Sequence, residues 1–583
     1  MKLRILLLLM LCAGIGTASA QSDSNGYYRF PLNLPHLFSA NFAEMRPNHF
    51  HSGIDLKTAG TEGHPLYAAA DGQIVRIGLQ PGGYGRVLYI AHPNGTTTVY
   101  GHMQRFTDEV EKFITEERYR LQRNTGDFYP SDGQFPVKRG EQIGLTGNSG
   151  SSGGPHVHFE VRESDSQRTL NTIAAGMVTV KDDIPPLIMK IHYIEVDSLD
   201  GVAVNSKPRT LGVRRIDPNT YQAASDTPFG VGAKGYFVIE ASDRKNDVSN
   251  TFGIYRIEAR IDGHPFYEYV MDGFTFDMSR YCNAVSYYPI QRNSRNEVFR
   301  LAQLDGNPFR YRTMVDRGLI RVGKDERKTV EIDVQDDCGN VSHLKFDIVG
   351  YGDDASFRAQ RDSTAFKADN RRQSTATQGA VSVSIPAGAL YEPIFYNIGI
   401  DEDLNTELAE RSDTSVVILS DVFSVGDADV PLQKSMRLTV KGYVPENLRN
   451  RTTLASVSDK GGVWRAGGSY KDGAVSLSTR SFGKYCLAAD LEAPTVTPSF
   501  TSGADLSSTG SISFRLRDNF SGISTVSLHI DGQWAILERK SSSSPVVHIF
   551  DDERFGRNKR HTVTLTVTDG VGNRTVWRGE YFR

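Results

Sequence analysis

Short runs in which apolar and polar residues alternate dominate the first third of the chain, from residue 27 to about residue 183. The runs GQIVRIG (72–78), RVLYIAH (86–92) and HVHFEVR (156–162) are each bounded by Gly, Pro or Asn. Alternation of this kind predicts β-strands, because successive side chains of a strand point to opposite faces. We therefore predict a β-rich domain over residues 21–183.

One segment of this domain follows a helical period instead. In QRFTDEVEKFITEERYRLQRN, charged residues separate apolar residues that recur at helical spacing: Phe106, Val110, Phe113, Ile114 and Leu121. The spacing predicts an amphipathic helix within an insert over about residues 103–135. Packing is the simplest role of this helix, and a wall beside a substrate groove is the alternative.

Beyond the Pro-rich junction DDIPPLI (182–188), the chain contains an internal repeat. Residues 241–263 parallel residues 516–532, since each stretch has an Asp-rich turn and then a strand that ends in Ile-Asp-Gly. Each is followed, near Val330 and Val563, by a strand that enters a D-x-x-G-N turn. Short strands with such turns predict β-sandwich modules, and the two copies resemble the immunoglobulin-like domains of bacterial surface proteins in strand pattern.

These patterns predict a mostly β, multi-domain chain. A polar stretch without a sustained apolar period indicates a linker over residues 353–378, and EAPTVTP marks the entry to the last module. After the N-terminal domain we predict an immunoglobulin-like β domain over 184–352, the linker, a β-rich domain over 379–490, and a C-terminal immunoglobulin-like domain over 491–583.

Composition narrows the classes of function. The 583 residues are 39% hydrophobic and carry a formal net charge of -3, so the chain forms a core, and nothing in its charge favours a nucleic-acid partner. The four cysteines are too few for a disulfide scaffold. Cys282 and Cys338 fall in one predicted domain and can pair, whereas Cys486 is expected to be a buried small apolar residue.

The first twenty residues have the pattern of a signal peptide. Lys2 and Arg4 precede an apolar stretch, and Ala18-Ser19-Ala20 forms a small-residue cleavage signal. Lipid attachment at Cys12 is the alternative, but Leu11 stands where lipoprotein processing requires a small residue. We expect no transmembrane segment in the mature chain and a secreted location, in the periplasm or at the cell exterior.

The candidate chemistry lies on the strand HVHFEVR. Val157, Phe159 and Val161 share one face of this strand, which leaves His156, His158 and Glu160 on the other. Upstream, NHFHSGIDL contains His51 and Asp55, and TVYGHM ends a strand at His102. His nitrogen and carboxylate oxygen are zinc ligands, and catalytic zinc sites use three protein ligands with one position left for water.

The motifs HSGID, YGHM and GLTGNSG…GPHVHFEVR resemble, in order, those of the LytM/lysostaphin-like zinc metallopeptidases over about residues 41–163. The resemblance implies that residues 21–183 form a zinc metallopeptidase domain. It further implies that His51, Asp55 and His158 hold one zinc ion per chain, with no other cofactor. His102 and His156 would then be catalytic residues beside the metal that do not ligate it.

The resemblance also implies an activity and a substrate, namely endopeptidase cleavage of the peptide cross-links of bacterial peptidoglycan. Zinc would polarise the scissile carbonyl while an imidazole accepts and returns a proton, and either histidine can take that role. A non-catalytic regulator of cell-wall amidases and a zinc peptidase acting on proteins are the alternatives. The C-terminal β modules would hold the enzyme at a surface, bind cell-wall or protein partners, or restrict access to the groove.

A few other residues carry weaker predictions. His49 is a candidate neighbour of the metal site, and His92 is expected to cap a turn. Tyr100 and Asn148 can contact substrate or serve only packing and turns. GNSGSSGG is expected to form a mobile rim of the groove, and the Asp-rich turns of the repeat can bind calcium, although ordinary hairpin chemistry explains them as well.

Overall fold

The computed structural model describes residues 26–360, 362–410 and 415–583, and strands dominate it as predicted. The predicted signal peptide and Cys12 lie outside these residues. Among the helices that the model describes, none is long and apolar enough to cross a membrane. Cys282 and Cys338 form no disulfide with each other in the structure, and Cys486 is buried, as expected.

The N-terminal domain, residues 26–183, is built on a sheet in the order β1-β4-β13-β8-β7-β6-β10, with a smaller sheet β5-β12-β9 beside it. Its strands and helix are β1 (Phe38–Ala40), β2 (Met45–Arg46), β3 (His49–Phe50), β4 (Ile54–Lys57), β5 (Pro65–Tyr67), β6 (Gly72–Leu79), β7 (Arg86–Ala91), β8 (Thr96–Gly101), β9 (Arg105–Phe106), α1 (Asp108–Leu121), β10 (Gly126–Phe128), β11 (Pro136–Val137), β12 (Gln142–Leu145), β13 (His156–Glu163) and β14 (Thr169–Leu170). The three strands predicted from alternation are β6, β7 and β13.

Strand β13 is central in the larger sheet, between β4 and β8. Val157, Phe159 and Val161 lie in the hydrophobic core, as their alternation predicts. On the opposite face His158 and Glu160 are also buried. A polar face that is buried in a central strand requires partners for every charge and donor, so this face is where a functional site is expected.

Helix α1 lies within the predicted insert. Val110 and Ile114 are buried in the core, and Phe113 packs against Phe135 with ring centroids 5.6 Å apart. Leu121, in contrast, is 40% exposed. The helix ends at Leu121 because the next residue takes a left-handed conformation with φ 48°, and the chain turns away before Leu121 reaches the core.

The second domain, residues 184–352, contains a six-stranded and an eight-stranded sheet. Its elements are β15 (Leu187–Leu199), β16 (Val202–Asn205), β17 (Arg209–Leu211), β18 (Val213–Asp217), β19 (Thr220–Ala223), β20 (Phe229–Val231), β21 (Lys234–Ser242), β22 (Arg256–Ile261), β23 (His264–Val270), β24 (Gly273–Phe274), α2 (Phe276–Ser279), α3 (Cys282–Val285), α4 (Tyr288–Gln291), β25 (Glu297–Arg300), β26 (Thr313–Met314), β27 (Ile320–Arg321), β28 (Arg327–Gln335) and β29 (Val341–Gly350). One continuous hydrophobic core joins this domain to the N-terminal domain, and β24 pairs with β14 across the boundary.

The third domain extends to Asp490 and begins earlier than its sequence pattern indicates. Its elements are β30 (Phe366–Ala368), β31 (Ser374–Gln378), β32 (Val381–Ile385), β33 (Ile394–Tyr396), β34 (Ile398–Ile400), α5 (Glu402–Ala409), β35 (Val416–Ile418), β36 (Phe423–Val425), β37 (Met436–Lys441), β38 (Thr452–Val457), β39 (Val463–Gly467), β40 (Tyr470–Lys471), β41 (Ala474–Thr479) and β42 (Gly483–Asp490). Strands β30 and β31 lie inside the range predicted as a linker. In β31 the small residue Ala376 is the only buried side chain, so the strand has no apolar alternation to reveal it.

The terminal domain, residues 491–583, has two sheets, β43-β45-β48 and β44-β50-β49-β46-β47, around a core of its own. Its elements are β43 (Thr495–Pro498), β44 (Ala504–Asp505), β45 (Ser511–Arg517), β46 (Ile523–Ile530), β47 (Gln533–Ala535), β48 (Val546–Ile549), α6 (Asp552–Phe555), β49 (Arg560–Asp569) and β50 (Arg574–Phe582). The immunoglobulin-like relationship of this domain and of the second domain stays a prediction.

The terminal domain folds back onto the N-terminal domain and contacts α1. The Arg118 guanidinium, only 3% exposed, donates to Glu538 Oε1 at 2.9 Å and to the Leu537 carbonyl at 3.0 Å. The Tyr119 and Trp534 rings meet edge to face, with centroids 5.7 Å apart. Helix α1 therefore joins two domains that are about 400 residues apart in sequence, a contact that its periodicity does not predict.

Candidate metal centre and active site

Three side chains of the N-terminal domain converge on one point. His51 follows β3, Asp55 lies in β4, and His158 lies in β13, directly opposite Asp55 in the strand register. His51 Nε2 is 2.9 Å from His158 Nδ1 and 3.1 Å from Asp55 Oδ1, and His158 Nδ1 is 3.0 Å from the same carboxylate oxygen. The structure thus brings the three predicted metal ligands together.

In each of these three side chains, the second nitrogen or oxygen atom makes a hydrogen bond with a neighbouring residue. His51 Nδ1–H donates to the Asn41 carbonyl at 2.7 Å, and His158 Nε2–H donates to Glu160 Oε1 at 2.8 Å. Arg46 donates to the second carboxylate oxygen of Asp55 at 2.8 Å. Such partners fix the tautomer and orientation of a metal ligand, so one nitrogen of each ring and one oxygen of Asp55 are left facing the common point.

The pKa values fit this arrangement. Burial lowers the pKa of His51 to about 4, so the ring is neutral near pH 7, as a ligand must be. Burial favours a neutral His158 as well, but hydrogen bonds to Asp55 and Glu160 raise its pKa to about 9 in the metal-free chain. Despite its own burial, Asp55 has a pKa well below the usual range because His51 and His158 face it. An incoming cation therefore replaces a proton between Asp55 and His158.

The two predicted catalytic histidines lie side by side next to this cluster. The ring centroids of His102 and His156 are 4.6 Å apart, and His156 Nε2 is 3.6 Å from Asp55 Oδ1. His102 Nδ1–H donates to the Ser149 carbonyl, and His156 Nδ1–H donates to the Gly154 carbonyl, both at 2.8 Å. These bonds leave Nε2 of each ring available to accept a proton.

His102 owes its position to an unusual backbone. It follows β8 with φ 60°, in the left-handed region that side chains other than glycine rarely adopt. Burial, followed by the neighbouring His156 and His158, lowers the pKa of His102 to about 3, so the ring is neutral. A strained conformation held by surrounding contacts is common at functional sites, and here it aims the imidazole at the cluster.

Glu160 is a further functional candidate. The sequence pattern placed it on the same strand face as His156 and His158 but assigned it no role. Its Oε1 accepts hydrogen bonds from His158 at 2.8 Å, Ser52 at 2.7 Å and Tyr84 at 2.6 Å, while Oε2 accepts one from Arg162 at 2.5 Å. Burial alone would raise its pKa, but Arg162 and His158 hold it well below the usual range. Its position two residues after His158 was the available signal, since both residues share one strand face.

We expect Glu160→Gln to weaken metal affinity by about 10–100-fold, the usual effect of losing a partner that orients a ligand. The amide keeps the size of the side chain but removes the charge that orients His158. Competition with a chromophoric zinc chelator measures the change. Glu240→Gln is a matched control, because Glu240 is a buried strand residue that accepts from His192 Nε2 at 2.8 Å in the second domain. Equal affinity in the wild type and Glu160→Gln would contradict the assigned role.

Residues of the second domain contact the segment of the N-terminal domain that holds the ligand cluster. The side chain of Asn41, whose carbonyl accepts from His51, donates to the Gly253 carbonyl at 3.0 Å and accepts from the Gly253 N–H at 2.7 Å. The Phe42 and Phe50 rings pack on Phe274 of the same domain, with centroids 5.3 and 5.6 Å away. Asn41 and Arg46 belong to no motif that predicts a site, so sequence reasoning did not find them.

Other weak predictions resolve into packing. His49 is exposed, and its side chain bonds the Pro47 carbonyl, two residues earlier in the chain. Tyr100 is fully buried, and its hydroxyl accepts from the Ala69 N–H, so it does not face substrate. His92 is buried, its side chain bonds the Asp71 carbonyl, and its backbone carbonyl accepts from the Gly95 N–H within the turn. Asn148, by contrast, lines a cavity beside the site.

That cavity lies between the groove rim and the terminal domain. Its volume is about 470 Å³, and its lining includes Met103, Asn148 and Ser149 from the N-terminal domain and Lys540 from the terminal domain. In the loop GNSGSSGG, the Gly150 N–H donates to the Lys540 carbonyl at 2.8 Å. The Ser149 carbonyl that orients His102 is therefore adjacent to a residue bonded to the terminal domain.

Comparison with known proteins identifies two regions of the chain. Residues 49–118 match Peptidase family M23, and residues 364–490 match a Zu5-like domain. The DD-carboxypeptidase/endopeptidase Mpg of Neisseria meningitidis serogroup B is 37% identical over 112 residues, which are 19% of this chain and 20% of that protein.

Two further relatives are similar to this chain over comparable lengths. An uncharacterized metalloprotease of Haemophilus influenzae is 30% identical over 165 residues, 27% of each chain. The peptidoglycan DD-endopeptidase ShyA of Vibrio cholerae is 30% identical over 151 residues, 24% of this chain and 29% of that protein. The matched region thus spans less than a third of each of these three relatives.

Proposed function

Because the N-terminal domain is a LytM/lysostaphin-like domain of Peptidase family M23, we propose that this chain is a zinc endopeptidase that hydrolyses peptide cross-links of bacterial peptidoglycan. The observation that carries the proposal is the convergence of His51, Asp55 and His158 within 2.9–3.1 Å, with His102 and His156 alongside. A structural role alone gives no reason for four imidazoles and a carboxylate to gather at one largely buried place.

The donor set fits zinc. Two imidazole nitrogens and one carboxylate oxygen form the three-ligand set typical of a catalytic zinc site, in which a further position stays open. His51, Asp55 and His158 would hold the ion, and Asn41, Arg46 and Glu160 orient them. When bound, zinc supplies Lewis-acid polarisation of the scissile carbonyl and lowers the pKa of water.

The chain's own groups carry the proton transfers. His102 and His156 present Nε2 as the free ring nitrogen, and a neutral imidazole at that position accepts a proton from the attacking water. The same nitrogen then returns the proton to the leaving amine. The hydrogen bonds from Nδ1 to the Ser149 and Gly154 carbonyls keep both rings in this tautomer.

The substrate class and location are supported by the relatives' names and by the sequence. Two of the three relatives described above are named as endopeptidases, one of them a peptidoglycan DD-endopeptidase. Residues 1–20 have the composition of a signal peptide. We therefore propose that the protein is exported and acts in the periplasm or on the envelope exterior.

The terminal domain would restrict access to the groove. Its support is the Gly150–Lys540 hydrogen bond and the ion pair between Lys540 and Glu62 on the same rim. Small cross-linked peptide fragments would then enter more readily than intact wall. Binding of cell-wall or protein partners by the β domains is a second role proposed for them.

Incubation of purified residues 21–583 with peptidoglycan tests the function directly. We expect release of cross-linked peptides cut at a peptide bond, with no release after treatment with a zinc chelator and recovery when zinc is restored. Soluble cross-linked fragments are expected to be cleaved faster than intact sacculi. Cleavage that persists in the zinc-free chain would exclude the proposed chemistry.

The main alternative is a non-catalytic regulator. One further relative is named cell division protein DipM, and it is 26% identical over 152 residues. A regulator has no need of the catalytic pair or of an ion, whereas here all five groups are present with oriented tautomers. The regulator reading predicts no fragments from purified peptidoglycan, but faster fragment release by an added amidase. A chain that instead cleaves only protein substrates would support the second alternative.

A further inference from the structure

The two copies of the internal repeat share a turn with the same main hydrogen bonds. Asp336 in the second domain and Asp569 in the terminal domain each accept from the backbone N–H and the side-chain amide of an asparagine four residues later. That asparagine, Asn340 or Asn573, also donates to the carbonyl of an aspartate that opens the domain, Asp182 or Asp490. Equivalent positions in the two copies can therefore be compared directly.

In each copy this turn is one corner of a cluster of three carboxylates. Asp182, Asp243 and Asp336 form the cluster of the second domain, and Asp490, Asp518 and Asp569 form that of the terminal domain. One oxygen of each carboxylate lies within 4.8 Å of those of the other two. Three carboxylates this close repel one another unless a cation is present.

The cluster of the second domain contains its own cation. Lys245 is 1% exposed, and its Nζ lies 2.6 Å from Asp337, 3.1 Å from Asp182 and 3.5 Å from Asp243. A buried ammonium ion thus offsets part of the negative charge of this cluster, and the lysine is two residues after Asp243 in sequence. In the second domain, therefore, a positive charge lies next to the three carboxylates of the repeat.

The cluster of the terminal domain lacks such a group. Phe520 stands two residues after Asp518, and no ion pair of the described residues includes Asp490, Asp518 or Asp569. Asp490 is fully buried and Asp569 is 2% exposed, and burial raises the pKa of Asp490. The terminal copy therefore lacks the ammonium group that lies within 3.5 Å of Asp182 and Asp243 in the other copy, and it has Gly570 where the other copy has Asp337.

Two further oxygens at this cluster point to a ligand. Ser521 is 8% exposed, and its backbone N–H donates to Asp490 Oδ2 at 3.1 Å, which brings the residue to the cluster. Its buried Oγ has no hydrogen-bond partner among the described residues, and neither has the buried Oδ2 of Asp518. Buried polar atoms normally have partners, so both atoms are available for coordination.

We propose that Asp490, Asp518 and Asp569, together with Ser521 Oγ, form a calcium site at the entry to the terminal domain. All of its donors are oxygens, which calcium prefers, and several carboxylates at one site suit calcium better than magnesium, which keeps most of its waters. Asp490 is the last residue of β42 in the third domain. The ion therefore fastens the terminal domain to the domain before it, and it does so independently of the peptidase site.

Calorimetric titration of the zinc-loaded chain, residues 21–583, with calcium chloride tests this proposal. We expect one calcium ion per chain, with a dissociation constant in the range of about 10⁻⁴–10⁻³ M known for extracellular calcium modules or tighter. Asp518→Asn is expected to weaken binding by at least tenfold. Hydrogen exchange at residues 518–522 and 569–573 should slow when calcium is added to the wild type.

Asp243→Asn is the matched control, because Asp243 belongs to the equivalent cluster, which already contains the Lys245 ammonium group. This variant should bind calcium like the wild type. If Asp518→Asn does not fold, Ser521→Ala removes one donor without charge and should also weaken binding. No binding by the wild type up to about 10 mM calcium, above the extracellular range, or wild-type affinity in the folded Asp518→Asn, would overturn the proposal.

Discussion

Replacing His158 with alanine should abolish zinc retention and peptidase activity together. His158 supplies one of only three candidate ligands, and its Nδ1 lies within 3.0 Å of both other donor atoms. A zinc site reduced to two protein ligands does not hold the ion through purification. Metal analysis of the purified variant and release of peptidoglycan fragments are the two measurements, and both are expected to fall to background.

The matched control for this variant is His192→Ala. His192 is likewise a buried strand histidine whose Nε2 bonds a glutamate, Glu240 in this case, but it lies in the second domain away from the cluster. It should keep a full complement of zinc. Circular dichroism of both variants separates loss of metal from loss of fold. A His158→Ala chain that keeps stoichiometric zinc would show that the ligand set is wrong.

The same variant separates the enzyme from the regulator. A regulator that acts through its surface retains its effect on an amidase when the metal ligand is removed, provided that the fold is intact. An enzyme loses its effect in cells along with zinc. The effect of His158→Ala in cells therefore shows whether the protein acts through its metal-dependent chemistry or through the surface of the N-terminal domain.

Strand geometry explains how much of the candidate site follows from the residues themselves. A period of two puts His156 and His158 on one face of β13, whereas the register that places Asp55 opposite His158 is known only from the structure. The roles of His51 and His102 came from the resemblance of HSGID and YGHM to the family motifs, and they stay predictions.

The partners that orient the site could not be predicted in this way. Asn41 depends on Gly253, about 200 positions away, and Arg46 reaches Asp55 from a two-residue strand with no periodicity. Contacts of this kind are set by how domains pack, which a one-dimensional pattern does not encode. The same reason applies to Arg118 on α1, whose partner Glu538 lies about 400 positions away in sequence.

Strands β30 and β31 show what the hydrophobic pattern of a sequence does not detect. Strands β30 and β31 lie in a stretch that has the composition of a linker, because a short edge strand can bury as little as one alanine. The internal repeat, in contrast, could be recognised from the sequence. Its Asp-rich turns follow local hydrogen-bonding rules, and Asp262 and Asp531, which end the two Ile-Asp-Gly strands, each adopt φ 51° in the structure.

Replacing His102 with alanine is expected to leave zinc bound while lowering the turnover rate by about 10²–10⁴-fold, the usual contribution of a general acid–base group. His102 is beside the ligands but contributes none of the converging atoms, and its Nε2 is free to exchange a proton. His92→Ala is the control, since His92 is equally buried in the same domain, 6% exposed, and remote from the cluster. Zinc content and fragment release are measured on both.

A cavity of imidazole size in His102→Ala also permits a sharper test of its role. If His102 transfers a proton, added imidazole should restore part of the lost activity, with a pH dependence set by the pKa of free imidazole. If the side chain only positions Ser149 through its Nδ1 bond, imidazole has no such effect. Running His156→Ala in parallel separates the two rings, because the ring that accepts the proton from water is the one whose loss can be rescued in this way.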